Sequence, residues 1–341
     1  MKEKNKIIQQ EKLKSTNLFN LAINSNNEVK HKLCFHNFFH KNYFTIINKK
    51  IIFSFILIFI LYLLIFYKYK SKKKLLKVCL CVIGKKENLY INEFVEHYKK
   101  IGYNKIFIYD NNDINSEKFE DVIQKEIEEG FVSIINYRGL RARQFKSYKE
   151  CYKNYNKLFD WLSFFDFDEF LELKPLNTKI QKFLGSNKFK KCINIKINWV
   201  YYSNFNDLYY DRRPLEERLL KKESNGCIKS TVRGNLPINY WSIMKNPHTS
   251  LNNFTSCSSS GKIISHFLPC YKTPDLKYAY LKHFHFKSFE EFCIKIKRGF
   301  ADSYNKNIQS RITRFINENK NDKHKLKIIK KIFNISFKLA I

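Results

Sequence analysis

The chain is short of glycine and proline, with 9 Gly and 6 Pro in 341 residues. Ala is scarce as well, while Lys, Asn, Ile, Phe and Tyr abound. This is the bias of an AT-rich genome, in which Lys replaces Arg cheaply. It tempers the formal net charge of +32, which alone would point to nucleic acid, anionic membrane or nucleotide. The lysines are scattered rather than gathered into one block, as for diffuse solvated charge rather than a nucleic-acid stripe. None of the nine cysteines form a CxxC pair, which argues against a zinc ribbon. Their odd number prevents complete pairing within the chain, and their spacing assigns no disulfide. Cys79 and Cys81 alternate within an apolar run and read as core.

One stretch lacks charge altogether. IIFSFILIFILYLLIFY, residues 51–67, has 17 residues between Lys50 and Lys68. That is the lower limit for a membrane-spanning helix, and snorkelling lysines and Tyr67 could extend it. A buried core helix is the alternative, although the stretch has no polar face. Residues 1–50 read as a disordered basic tail and 68–76 as a basic stem, with a folded domain from about Lys77. Residues 36–50 carry three Lys and 68–82 carry six, so the positive-inside rule would place that domain in the cytosol.

From Lys77 onward, strand and helix patterns alternate. VCLCVIG (78–84) reads as a buried strand, and 89–100 has apolar residues at helical spacing. KIFIYD (105–110) is a strand, 119–129 a helix, FVSIINY (131–137) a strand, and 147–159 a helix. WLSFFDFD (161–168) is a fourth strand. The order predicts a parallel α/β sheet with its ligand at the carboxyl ends of the strands. Those ends carry Glu87, Asp110, Arg138, Asp166 and Asp168.

Two carboxylates at the end of an apolar strand repel each other and lose hydration. Positions two apart on a strand share a face, so Asp166 and Asp168 could grip one hard cation. Mg²⁺ or Mn²⁺ accepts such oxygens together with substrate phosphates. An aspartyl phosphatase of the haloacid-dehalogenase type would want hhhhDxDx[TV] on its first strand. Here the strand is the fourth, and Phe170 stands in place of Thr or Val. Glycosyl transfer from a nucleotide sugar is the other chemistry that uses the pair.

The segment VCLCVIGKKENLYINEFVEHYKKIGYNKIFIYDNND resembles the start of the family 92 glycosyltransferases and their family 2 relatives. RQFKSYKECYKNYNKLFDWLSFFDFDEFL is similar to their "Q...Y..C......W...hDxDEFh", through Gln144, Tyr148, Cys151, Trp161, Asp166, Asp168, Glu169 and Phe170. INWVYYS (197–203), KSTVRGN (229–235) and HFHFKSFEEFCIKIKRGFAD (283–302) resemble further blocks in the same order. Phe284 replaces the usual Tyr, Gly234 stands where Pro is common, and YYSN replaces an FGS element.

The resemblance implies an α/β domain of the GT-A (nucleotide-diphospho-sugar transferase) fold over 77–302, with a mostly parallel sheet; residues 303–341, basic and apolar at helical spacing, read as a C-terminal helical extension. It implies an inverting, metal-dependent transfer of a hexose, galactose foremost, from a UDP-hexose to a glycan or glycolipid acceptor. Asp166, Asp168 and His283 would hold Mn²⁺ or Mg²⁺. Glu87, Asp110, Lys229, Arg233, Lys287 and Arg298 would bind the donor. Glu169 would orient the pair or meet the acceptor. The catalytic base would be one of Asp207, Asp211, Glu216 and Glu217, with Asp211 and Glu217 carried forward. The resemblance also implies a single-pass, type II Golgi location, and no nucleic acid is expected. The rival from another class is a non-catalytic basic protein that binds nucleic acid or anionic membrane.

Overall fold

The computed structural model describes residues 51–63, 75–141, 143–203, 207–221, 226–236, 248, 255–264, 270, 273–298, 313, 316–317 and 320–338. The chain divides into two compact units, Met1–Lys74 and Leu75–Ile341. Of the first, only a helix over 51–63 is described, and its side chains are exposed. Among the described residues no helix is long and apolar enough to cross a membrane, so the expected span is not shown. Residues 64–67, the whole tail and most of the stem lie outside the described residues.

The second unit begins as the periodicity predicts. Strand β1 (Val78–Gly84) leads to helix α1 (Ile91–Lys100), β2 (Lys105–Asp110), α2 (Glu120–Glu128), β3 (Val132–Asn136), α3 (Gln144–Tyr155) and β4 (Trp161–Phe164). After these come β5 (Glu169–Leu173), α4 (Ile180–Leu184), β6 (Asn194–Ser203), α5 (Leu215–Arg218), β7 (Leu220–Lys221) and β8 (Ile228–Arg233). The short β9 (Ser256–Cys257) and β10 (Ile263–Ile264), then β11 (Ala279–Phe286), α6 (Phe289–Arg298) and α7 (Lys323–Lys338) follow.

The sheet order is β10-β9-β6-β8-β4-β1-β2-β3, with β11 joining β5 to β6 and β7 on β6. Strands β1 to β4 pair in parallel, but β8 runs antiparallel to both β4 and β6, and β11 antiparallel to β5. The sheet is therefore mixed rather than mostly parallel. Periodicity gives each strand's existence but not the direction of strands added from far along the chain.

β1 is buried on both faces, which is why its run is continuously apolar. Val78, Leu80 and Val82 pack with Ile91, Phe94 and Tyr98 of α1; Cys79, Cys81 and Ile83 pack with Tyr148, Cys151 and Tyr152 of α3. Each fully buried Val, Leu, Ile or Phe among them contributes about 1.5–3 kcal/mol on leaving water. Disulfides join Cys81 to Cys151, Cys192 to Cys257 and Cys227 to Cys270. Cys79 and Cys293 are buried thiols. At the chain's end, Ile329 of α7 packs with Phe289 and Phe292 of α6, so this part of the extension rests on the folded unit.

Candidate active site

The apolar run expected to carry both aspartates as strand stops earlier, at Phe164. Asp166-Phe167-Asp168 is the bend between β4 and β5. β4 pairs with β1 so that Phe164 lies beside Cys81, and the bend then reaches over the end of β1. There the Phe167 ring lies on Gly84, where a Cβ would collide with it. Only glycine leaves room for that ring.

Each aspartate is compensated by its own cation. Asp166 Oδ1 accepts hydrogen bonds from Gln144 at 2.7 Å and from the Tyr148 hydroxyl at 3.0 Å. Its Oδ2 accepts from Lys229 Nζ at 2.7 Å. Burial works against the charged carboxylate, but the charge and hydrogen bond of Lys229, with His248, hold Asp166 below the usual range. Asp168 Oδ2 accepts from Lys295 Nζ at 2.6 Å, while Oδ1 faces His283 Nε2 at 3.6 Å. Burial again opposes the charge, and Lys295 and then His283 carry the Asp168 carboxyl well below its ordinary value.

Glu169 is fully buried behind the pair. Its Oε2 accepts the Asp166 backbone N–H at 3.0 Å, and its Oε1 lies 3.7 Å from Lys229. Burial pushes its carboxyl up. It therefore braces the bend from the interior rather than facing an acceptor.

The pairing of β5 with β11 brings a histidine to the bend. His283 lies opposite Glu169 in that register, and the Phe284 N–H donates to the Asp168 carbonyl at 2.8 Å. His285, two residues on, joins the same cluster. One ligand atom each from Asp168, His283 and His285 lies within 4.8 Å of the others, and the same holds for Asp166, Asp168 and Glu169. His283 Nδ1 is buried with no hydrogen-bond partner. Carboxylate and imidazole donors at this spacing fit a divalent cation, and Asp168 belongs to both sets.

Helix α6 closes the cleft beside this cluster. Lys295 and Arg298, one turn apart, share a face. Lys295 holds Asp168, and Arg298 pairs with Glu87 at 2.5 Å and donates to the Lys85 carbonyl at 2.8 Å. Lys287 stands 3.6 Å over the Tyr90 ring, and burial lowers its pKa to about 8. Glu87, Lys287, Lys295, Arg298 and His285 line one cleft.

Other expected residues lie elsewhere or are already engaged. Asp110 is buried, and its oxygens accept from Arg138 at 2.6 Å and from the Asn112 N–H at 2.9 Å, so it builds the end of β2. Lys229 lies under the aspartates rather than in the cleft. Arg233 faces Trp161 across β8 and β4, at the far end of the strand that leads to Asp166. It stacks 4.4 Å over the Trp161 ring and donates to the Phe189 and Cys192 carbonyls, away from the bend that carries the aspartates. Asp211 pairs with Arg213. Glu216 pairs with Lys282, and Glu217 is exposed. The α5 segment that carries these acids is tied to α6 through a buried Arg218–Glu291 pair at 2.8 Å. Among the described contacts neither Asp211 nor Glu217 touches the aspartates.

His285 and Lys295 were not singled out from the sequence. The two-residue spacing from His283 and the three-residue spacing to Arg298 were the available signals.

These features define a class: a cation-and-anion site where an α/β sheet's strand ends meet a basic helix. The sequence match is more specific. The family described as Glycosyltransferase family 92 matches residues 74–316. The chain belongs to glycosyltransferase family 92. A family 92 protein of Ricinus communis is 28% identical over 106 residues, 31% of this chain and 18% of that relative's length. Among solved structures, a Pyrobaculum calidifontis mannosyltransferase in complex with GDP-Man and Mn²⁺ is 11% identical, with a TM-score of 0.27 over 40% of this chain and 42% of that one. S. aureus TarS, residues 1–349, is 10% identical, with a TM-score of 0.32 over 64% and 62%. Both superpositions are too loose to establish a shared fold.

Proposed function

We propose that this chain is a GT-A-type inverting transferase. It would move a hexose, galactose foremost, from a UDP-sugar to a hydroxyl of a glycan or glycolipid, with a divalent cation bound at Asp168. One observation carries the reading: Asp168, shared by both candidate ligand sets, pairs with Lys295, which together with His285, Lys287 and Arg298 lines one cleft. When bound, the cation would supply charge stabilisation to a leaving diphosphate. The three cationic side chains suit the same diphosphate. Glu87 orients Arg298. An inverting attack also needs a carboxylate to take the acceptor's proton, and we place that base in the Asp211–Glu217 segment.

The three disulfides favour an oxidising compartment such as the Golgi lumen, against the lysine count around residues 51–67.

The test is nucleotide release by the purified full chain in mild detergent, with Mn²⁺ and a panel of UDP- and GDP-sugars. Release from one donor, lost in Asp168→Ala, supports the reading and names the sugar. Folded protein that neither binds nor turns over any donor would overturn it.

A further inference from the structure

The two candidate ligand sets share Asp168 but differ in everything else. Asp166 has little to offer a cation. Gln144 and Tyr148 hold one of its oxygens, and Lys229 holds the other. Lys229 is fully buried and also faces Glu169, so it cannot withdraw to solvent. Glu169 is fully buried: one oxygen accepts the Asp166 backbone N–H, and the other, without a hydrogen-bond partner, lies 3.7 Å from Lys229 in the interior. Asp168 differs. Lys295 engages only its Oδ2, and Oδ1 faces His283 across 3.6 Å, too far for a hydrogen bond.

The imidazoles on that side are held in place. Trp199 packs on His283 with ring centroids 4.3 Å apart. Tyr201 touches both histidines, at 5.3 Å and 5.8 Å. His283 and His285 are alternate residues of one strand, and their rings stand edge to face at 5.0 Å.

We infer that this chain holds its cation on one carboxylate and two imidazoles, Asp168, His283 and His285, with Asp166 as a positioning residue outside the shell. The inference rests on the metal-dependent reading above. It has a consequence for the ion. An all-oxygen site accepts Mg²⁺, whereas two imidazoles and a carboxylate select first-row transition ions. His285 is then a specificity determinant that a DxD pattern does not reveal.

The probe is Co²⁺, titrated into the untagged full chain in mild detergent, with and without UDP, and followed by its visible ligand-field bands. The expected result is one bound Co²⁺ that excess Mg²⁺ does not displace. His283→Asn and His285→Asn should each weaken Co²⁺ by about tenfold or more, and Asp166→Asn by less than about threefold. His285→Gln and the melting temperature of each variant separate ligand loss from unfolding. If Asp166→Asn abolishes binding while the His285 variants leave it intact, or if Mg²⁺ displaces Co²⁺ readily, the all-oxygen set is the site. The present inference then falls while the transferase reading stands. No Co²⁺ binding in either condition, with nucleotide release persisting in EDTA, would overturn this site and the metal-dependent part of the proposed function but leave the transfer itself. No Co²⁺ binding and no donor turnover from folded protein would overturn both.

Discussion

Asp166 and Asp168 stand two residues apart and are held by different lysines, Asp166 by Lys229 from β8 and Asp168 by Lys295 from α6. The two carboxylates are thus separable by experiment. Asp168→Asn should cut metal-dependent nucleotide release by about a hundredfold or more, because it removes the carboxylate that would hold the cation against a leaving diphosphate. Asp166→Asn should cost less in turnover. Steady-state kinetics on both variants checks the order, and equal losses would contradict separate roles.

Lys229 is the buried counter-ion of Asp166 and Glu169. Lys229→Met should destabilise the fold by about 3–5 kcal/mol, the cost of leaving buried charge unpaired. Adding Glu169→Gln should recover part of that loss. Urea unfolding of the two single variants and the double variant measures the coupling. Strict additivity would show that the contact contributes nothing.

Arg233 supports the opposite end of β4 through Trp161 and two backbone carbonyls. Arg233→Ala should lower the melting temperature and leave the donor KM unchanged. A rise in KM without loss of stability would return Arg233 to the donor site.

Gly84 gives Phe167 its place between the aspartates. In Gly84→Ala the new Cβ would displace the ring and, with it, the bend. Since small misplacements of a reacting centre are costly, donor turnover should fall by about tenfold or more. Circular dichroism should remain that of the native fold. Unaltered turnover would mean that the bend adapts.

His97 on α1 is half-buried against β5, with its ring 2.9 Å from the Leu171 carbonyl and Glu172, Glu216 and Lys282 as charges nearby. Burial lowers its pKa below the ordinary 6.5. The unfolded chain therefore takes up a proton first as pH falls. Stability should be unaffected by His97 above about pH 6.5 and decline below it, until the folded-state pKa is reached. Melting temperatures between pH 7.5 and 5, with His97→Gln as the comparison, test the sign. A slope unchanged in the variant assigns the decline to other groups.

Some of this was readable along the chain. The alternation through β4 showed itself because each strand and helix is local and carries its own hydrophobic period. The resemblance placed the aspartates, and the match over residues 74–316 agrees with it. The end of β4 was misjudged because an apolar run followed by DFD looks the same as strand or as bend. Phe167 is buried in either case, here by Phe94, Phe119 and Gly84.

The sequence by itself determined which segments are apolar, where turns interrupt them, and that two carboxylates come after a buried strand. Only the tertiary structure decided what compensates those carboxylates. Lys229 and Lys295 lie 63 and 127 residues beyond their partners. In a chain with 63 basic residues no spacing rule picks those two. Strand pairing did so, by setting β8 under the bend and β11, with its histidines and the helix after it, beside it.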